Sequence, residues 1–210
     1  MQNGVIFDLD GTLIDSRADL ALAVNLTRAD LGLAPLPQDQ VVGYVGEGVR
    51  KLLTRALPEC PERLDQALAI NQRHYQAHLL DRTCLYPGVR PALEALAGRG
   101  LRLMVVTNKP RDFTDRILEG LGIAPLLAAV VGGGDCPQLK PDPAPLYLAL
   151  DRAGCTAQGS WIAGDHFTDL EAGRRAGLKR CYCRYGFGAP GSEGWDLAVD
   201  RLTELAEHLG

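Results

Sequence analysis

Short runs of apolar, often β-branched residues alternate along this chain with longer stretches in which apolar residues recur every three or four positions. The runs at 5–7, 101–106, 127–131 and 161–163 are predicted as strands. A strand that is buried on both faces has such a continuous apolar run, whereas a half-exposed strand alternates apolar with polar residues. The pattern therefore predicts an α/β fold, with a doubly wound, Rossmann-like parallel sheet between helices.

Glycine and proline residues mark the ends of the predicted helices. One helix follows Pro87 and Gly88, carries apolar residues at helical spacing, and ends at Gly98. Two further helices have the same spacing and end at Gly122 and Gly154. Each of them precedes a predicted strand, as the crossover connections of a parallel sheet require.

The segment 17–85 breaks this alternation. It contains no convincing strand but has helical patterns at 20–31, 49–57 and 64–80. We therefore predict a helical cap domain at 17–85, inserted into an α/β catalytic core formed by 1–16 and 86–210. Because the insertion follows the first strand closely, the cap is expected to cover the carboxyl end of that strand, where open parallel sheets bind ligands.

The composition favours a small molecule as the partner. The 210 residues include 22 Lys and Arg against 26 Asp and Glu, and this net charge of -4 gives no electrostatic reason to expect nucleic acid or an acidic membrane surface. There is no apolar run long enough to span a membrane and no signal-peptide pattern after Met1, so we expect a cytoplasmic protein. The sequence leaves open whether it is a monomer or a homodimer.

Polar residues suited to phosphate chemistry follow three of the four predicted strands. They are Asp8 and Asp10 after the first, Thr107 and Asn108 after the second, and Asp165 and Asp169 after the last. Lys140 lies in a loop before Pro141, from which a cation can reach the same sheet edge. Since carboxyl ends of parallel strands meet at one edge, we expect these side chains to lie together.

The two aspartates after the first strand can divide the work of a phosphatase. A carboxylate is ionised at neutral pH and attacks phosphorus without a base to activate it, so Asp8 is the predicted nucleophile. Residues i and i+2 of an extended segment point to the same side, which brings Asp10 to the same phosphate as the general acid and base.

The number of negative charges predicts a metal cofactor. Like charges about 4 Å apart repel by about 4 kcal/mol per pair at an effective dielectric constant of 20, and Lys140 alone cannot neutralise four aspartates and a phosphate. Mg²⁺ binds carboxylates, water and phosphate oxygens. The predicted ligands are Asp8 and Asp165 with the backbone carbonyl of Asp10, while Thr107, Asn108 and Lys140 hold the phosphoryl oxygens.

Several assignments have alternatives. Asp169 either binds the metal directly or orients Lys140 or a metal-bound water, and we favour the second role. Lys109 is interpreted as a solvated charge rather than a phosphate contact. His166 is placed near the chemistry, with contact to the active site left open. Gly46 and its neighbouring glycines are interpreted as a mobile cap loop that faces the site, not as a phosphate-binding loop.

At these residues the chain resembles the haloacid dehalogenase-like superfamily of phosphatases. The matching motifs are 7–16 (FDLDGTLIDS), 107–110 (TNKP), Lys140 with Pro141, and 164–165 (GD) with Asp169. Together with the cap segment 42–48 (VGYVGEG), they are most similar to phosphoglycolate phosphatases. That resemblance implies Mg²⁺-dependent hydrolysis of 2-phosphoglycolate to glycolate and phosphate.

Other activities remain open alongside that one. His166 stands where relatives often have a small hydroxyl residue, so another small ester, such as a sugar phosphate or pyrophosphate, is an alternative substrate. A phosphotransferase similar to β-phosphoglucomutase would keep both Asp8 and Asp10. A catalytically idle binding or regulatory protein is the alternative from another class, although no catalytic group is missing here.

Overall fold

Six parallel strands form the central sheet of the chain, which a computed structural model describes over residues 3–210. Their spatial order is β5-β4-β1-β6-β7-β8, and β2 and β3 form a separate antiparallel pair. The strands are β1 (Gly4–Phe7), β2 (Ile14–Asp15), β3 (Cys84–Leu85), β4 (Arg102–Pro110), β5 (Ala129–Gly133), β6 (Trp161–Gly164), β7 (Lys179–Cys183) and β8 (Leu197–Val199).

Nine α-helices accompany these strands within the described residues. They are α1 (Arg17–Asp30), α2 (Gln38–Val42), α3 (Val49–Ala56), α4 (Leu64–Ala77), α5 (Val89–Gly98), α6 (Arg111–Gly120), α7 (Ala144–Ala153), α8 (Phe167–Ala176) and α9 (Leu202–His208). Over 3–210, none of them has the length and apolar character that crossing a membrane requires.

The predicted doubly wound sheet is confirmed. The chain runs from β1 outward through β4 to β5, then returns to the other side of β1 for β6 and β7, so the strand order reverses beside β1. All four residues of β1 are buried, with Val5 and Phe7 in the core on one face and Ile6 in the core on the other. The crevice at this reversal point, outside the carboxyl end of β1, is where such sheets place a ligand.

The four predicted strands are present with shifted ends, and two further strands of the central sheet and both strands of the antiparallel pair were not predicted. β4 continues to Pro110, four residues beyond the predicted end. β7 begins with Lys179 and Arg180, which interrupt the apolar pattern, and β8 has only three residues. Cys181 and Cys183 are fully buried in β7.

Helices α1 to α4 lie between the two short strands of the antiparallel pair. Ile14 pairs with Leu85 and Asp15 with Cys84, so the chain enters and leaves this insertion at adjacent points. The insertion has its own apolar core, which includes Val24 and Leu53. These features support the proposed division into a cap at 17–85 and a core at 1–16 and 86–210.

A buried carboxylate ties the first cap helix to the returning chain. Asp19 accepts hydrogen bonds from the backbone N–H groups of Arg82 and Thr83 and, at 2.7 Å, from the Thr83 hydroxyl.

The variant Asp19→Ala leaves these donors without their partner, so we expect the free energy of unfolding in urea to fall by about 2–4 kcal/mol. Asp65→Ala, at a side chain that is 87% exposed, is the matched control, and a loss as small as the control's would contradict this role.

Candidate active site

The structure brings all the predicted site residues to one edge of the sheet. Asp8 follows β1, Thr107 and Asn108 lie near the end of β4, and Asp165 follows β6 directly. Lys140 reaches the same edge from the loop between β5 and α7, and Asp169 from the first turn of α8. Six of them are each less than 9% exposed and form a buried polar cluster, whereas Asp10 is half-buried.

The loop after β1 folds tightly because its glycine permits it. The N–H groups of Thr12, Leu13 and Ile14 donate to the carbonyl oxygen of Leu9, whose side chain is fully buried. Gly11 has φ +85°, and a Cβ atom there would collide with the Asp165 carboxylate. Gly11 therefore allows the loop to approach Asp165 closely.

Asp165 is held by hydrogen-bond donors from two loops. Its Oδ2 accepts the N–H groups of Phe187 at 3.0 Å and Gly188 at 2.7 Å, and its Oδ1 accepts the Thr12 hydroxyl at 3.3 Å. Burial, with the nearby carboxylates of Asp8 and Asp169, nevertheless raises the pKa of Asp165 well above its ordinary value. Phe187 and Gly188 were not predicted as site residues, because backbone donors leave little trace in a sequence beyond the glycines around them.

Lys140 lies between two of the aspartates. Its Nζ donates to Asp8 at 2.9 Å, to Asp169 at 2.6 Å and to the carbonyl oxygen of Val106 at 2.6 Å. Burial by itself lowers the pKa of Lys140, but the carboxylates of Asp169 and Asp8 outweigh it and raise this pKa above its ordinary value. Lys140 is therefore a fixed positive charge beside Asp8.

Asp169 contacts Lys140 and caps its own helix. Besides the ion pair with Lys140, its Oδ2 accepts the N–H of His166 at 3.1 Å in a capping box at the start of α8. This contact supports the favoured alternative that Asp169 orients Lys140.

Three carboxylates lie close enough to share a cation. Asp8, Asp165 and Asp169 each offer an oxygen within 4.8 Å of the others, and all three are buried. Burial raises the pKa of Asp8 to about 6, although Lys140 opposes the shift. One lysine does not balance three negative charges at this separation, so the set fits a divalent cation with oxygen ligands.

The carboxylate of Asp10 lies apart from this cluster and contacts a lysine that was wrongly assigned. Lys109 was predicted to be a solvated charge, but its side chain is only 4% exposed and its Nζ is 2.7 Å from both carboxylate oxygens of Asp10. The reason is that β4 extends to Pro110, which keeps Lys109 on the sheet edge beneath the cap. Ser16 donates a 2.5 Å hydrogen bond to the same carboxylate.

Asn108 links the core to the cap. Its amide group donates to the carbonyl oxygens of Lys140 at 2.9 Å and Gly46 at 3.0 Å, and its side-chain oxygen accepts the N–H of Lys140. Both amide hydrogens are engaged in these contacts. The predicted role of this amide in holding phosphoryl oxygens stays a prediction, and the geometry suits a residue that positions Lys140 and the cap loop.

His166 lies at the edge of the site opposite Gly46. Its ring packs against Phe167, and burial lowers the pKa of His166 below its ordinary value. Gly46 has φ +119°, and a Cβ atom there would lie 2.8 Å from the His166 ring. The cap loop thus faces the site at close range, as the interpretation of Gly46 predicted.

A cavity of about 410 Å³ lies between the cap and the sheet edge. Its floor carries Asp8, Asp10, Asn108, Lys109 and Asp165. Its cap wall is mostly aliphatic, with residues from α1, α3 and α4: Leu20, Ala23, Val24, Val49, Leu52, Leu68 and Ala69. The volume fits a small molecule, and the floor carries two carboxylates, those of Asp8 and Asp10, two residues apart in the chain.

Comparison with known proteins places this site in a described family. The family model for haloacid dehalogenase-like hydrolases matches residues 5–183. A plasmid-encoded phosphoglycolate phosphatase of Cupriavidus necator is 38% identical over 208 residues, covering 96% of this chain and 90% of that protein. A phosphoglycolate phosphatase of Rhodospirillum rubrum is 40% identical over 221 residues, covering 100% and 92%. The crystal structure of a predicted phosphoglycolate phosphatase from Haemophilus somnus has a TM-score of 0.93 at 29% identity, covering 100% and 98%.

Proposed function

This chain belongs to the haloacid dehalogenase-like hydrolases, and from that premise we propose that it is a Mg²⁺-dependent phosphatase acting through an aspartyl-phosphate intermediate. It is a phosphoric monoester hydrolase, in keeping with the relatives named phosphoglycolate phosphatase. The observation that carries the mechanism is the position of Asp8. Its carboxylate lies on the floor of the cavity beside Lys140, two residues before Asp10.

The reaction has two steps. In the first, a carboxylate oxygen of Asp8 attacks phosphorus, the bond from phosphorus to the alcohol oxygen breaks, and Asp10 gives its proton to that oxygen. In the second, Asp10 takes a proton from water, whose oxygen attacks the aspartyl phosphate. The bond between phosphorus and Asp8 then breaks, which releases inorganic phosphate and restores both aspartates.

The carboxylate cluster fits the proposed cofactor. Asp8 and Asp165 would hold Mg²⁺ together with the backbone carbonyl of Asp10, and Asp169 would keep Lys140 in place. When bound, the ion offsets the repulsion among these carboxylates and the phosphate and polarises a phosphoryl oxygen. Thr107, Asn108 and Lys140 are proposed to bind the phosphoryl group as its charge is redistributed.

We propose 2-phosphoglycolate as the first substrate to test, because the relatives bear that name and the cavity is small. The aliphatic cap wall lies directly over the floor, so a small ester fits better than a phosphorylated protein. The predicted cytoplasmic location is retained as part of this proposal.

A phosphate-release assay tests the proposal. The panel holds 2-phosphoglycolate, sugar phosphates, nucleotides and pyrophosphate, with p-nitrophenyl phosphate as a general substrate, each with Mg²⁺ and with chelator. We expect Mg²⁺-dependent release, with the highest kcat/KM on 2-phosphoglycolate. A preference for another ester would change the substrate assignment. Absence of release from the whole panel would instead favour the idle binding protein.

A further inference from the structure

The cavity contains a single Lys or Arg side chain among its described lining residues, and that residue is Lys109. Lys140 is engaged beneath Asp8, and the His166 ring packs against Phe167 at the edge of the site. Besides Tyr75, the cap wall offers aliphatic side chains and the uncharged amides of Asn71 and Gln72, so an anionic group placed against it would find no counter-charge there. A negatively charged group on the part of the ester that leaves as the alcohol can therefore form an ion pair in this cavity with Lys109.

Lys109 is also at the right distance from the reacting atoms. A general acid must approach the oxygen that it protonates to about 2.6–3.2 Å. Since Nζ of Lys109 is 2.7 Å from both carboxylate oxygens of Asp10, it lies within about 6 Å of the leaving oxygen. A carboxylate on the carbon next to that oxygen falls inside this range, whereas an anionic group several bonds away would pass Lys109 and meet the aliphatic wall.

The cap supplies a second group at the same point. Nζ of Lys109 lies 4.9 Å from the centre of the Tyr75 ring, and Tyr75 comes from α4 and lines the cavity. An edge-to-face contact with Phe113, 5.2 Å between ring centres, holds that ring in place. The Tyr75 hydroxyl is buried and has no hydrogen-bond partner within residues 3–210, so it is available to a ligand atom brought beside Lys109.

We propose that Lys109 is a specificity-determining residue that binds a carboxylate carried on the carbon next to the ester oxygen, with Tyr75 as its cap-side partner. This inference rests on the proposed function and assigns to Lys109 the recognition of the carboxylate that distinguishes 2-phosphoglycolate, and other phosphate esters of α-hydroxy acids, from esters of uncharged alcohols. Binding such an ester places the carboxylate beside the ammonium group of Lys109 and within reach of the Tyr75 hydroxyl after a small side-chain shift. An ester of an uncharged alcohol gains neither contact.

The test compares two small esters in the Lys109→Met variant, which keeps the length of the side chain and removes its charge. The esters are 2-phosphoglycolate and ethyl phosphate, whose alcohol is uncharged. We expect kcat/KM to fall at least about 30-fold further for 2-phosphoglycolate than for ethyl phosphate, since a buried charge loses its partner. Lys179→Met is the matched control, because Lys179 also stacks on an aromatic ring, Trp161, but lies outside the cavity.

The ratio of kcat/KM for 2-phosphoglycolate to kcat/KM for ethyl phosphate separates a role in specificity from a structural role. If Lys109 only positions Asp10, kcat/KM falls by the same factor for both esters, and that result overturns the inference while the phosphatase function stands. A wild-type protein that hydrolyses ethyl phosphate but not 2-phosphoglycolate also overturns it. If the wild-type protein releases phosphate from none of the three compounds, 2-phosphoglycolate, ethyl phosphate and p-nitrophenyl phosphate, the proposed function itself is refuted, and this inference with it.

Tyr75→Phe provides a second measurement if the Lys109 variant does not fold. It removes only the hydroxyl, so we expect a selective fall in kcat/KM for 2-phosphoglycolate of about 3- to 10-fold, the value of one hydrogen bond. An equal change for both esters would overturn the role of Tyr75. Circular dichroism of each variant shows whether it is folded.

Discussion

The Asp8→Asn variant is expected to lose at least about 10⁴-fold in kcat on every phosphate ester. Asn has nearly the same shape as Asp but no carboxylate, so the covalent intermediate cannot form. The fold should persist, because Lys140 keeps its contacts with Asp169 and the carbonyl oxygen of Val106. Steady-state phosphate release and thermal unfolding of the same preparation measure the two effects.

A surface aspartate provides the matched control for this variant. Asp65 has a side chain that is 87% exposed, so Asp65→Asn should keep the wild-type kcat. Asp8→Ala excludes recovery of activity by deamidation of the introduced Asn. A near-normal rate in both Asp8 variants would show that another residue is the nucleophile and would refute the mechanism.

Removal of the divalent cation has the second large expected effect. Chelation should lower kcat/KM at least about 10³-fold, since a bound metal supplies several kcal/mol of charge stabilisation in the transition state, and added Mg²⁺ should restore the rate. Asp165→Asn should raise the Mg²⁺ concentration for half-maximal activity at least about tenfold. Titration of phosphate release with Mg²⁺ gives both values.

Thermal unfolding tests the metal site without relying on activity. Because the pKa of Asp165 is raised well above its ordinary value, the ionised side chain destabilises the folded protein at neutral pH. In chelator, Asp165→Asn should therefore have a higher Tm than the wild type, while Mg²⁺ should raise the Tm of the wild type more than that of the variant. An equal Mg²⁺ effect on the two proteins would exclude Asp165 as a ligand.

Elements buried on both faces were predictable from the sequence, and elements at the sheet margin were not. β1 and β6 have continuous apolar runs because helices cover both sides of the sheet. β7 lies nearer the margin, where Lys179 is exposed and Arg180 half-buried, so its pattern is interrupted. β8 has three residues, too few for a periodic signal.

The residues of the candidate site also fall into those that the sequence predicts and those that it does not. Asp8, Asp10 and Asp165 follow strands, and the parallel topology alone brings strand ends together. The burial of Lys109 depends on the extra length of β4 and on Tyr75 from a cap helix, and neither is visible in the local sequence. The same holds for the N–H groups that hold Asp165, because any residue type can supply a backbone donor.

Because β2 and β3 are paired, the cap insertion begins and ends at adjacent points of the core. Because Ile14 and Leu85 are neighbours, a helical module of different length can replace the insertion while the sheet and its carboxylates keep their places. The hydrogen bond from Ser16 to Asp10 stays with the core, whereas a replacement has to rebuild the contacts of Asp19 with the returning chain and the hydrogen bond from Asn108 to Gly46. A grafted cap is therefore expected to change the wall of the cavity while Lys109 and the carboxylates of the sheet edge stay in place.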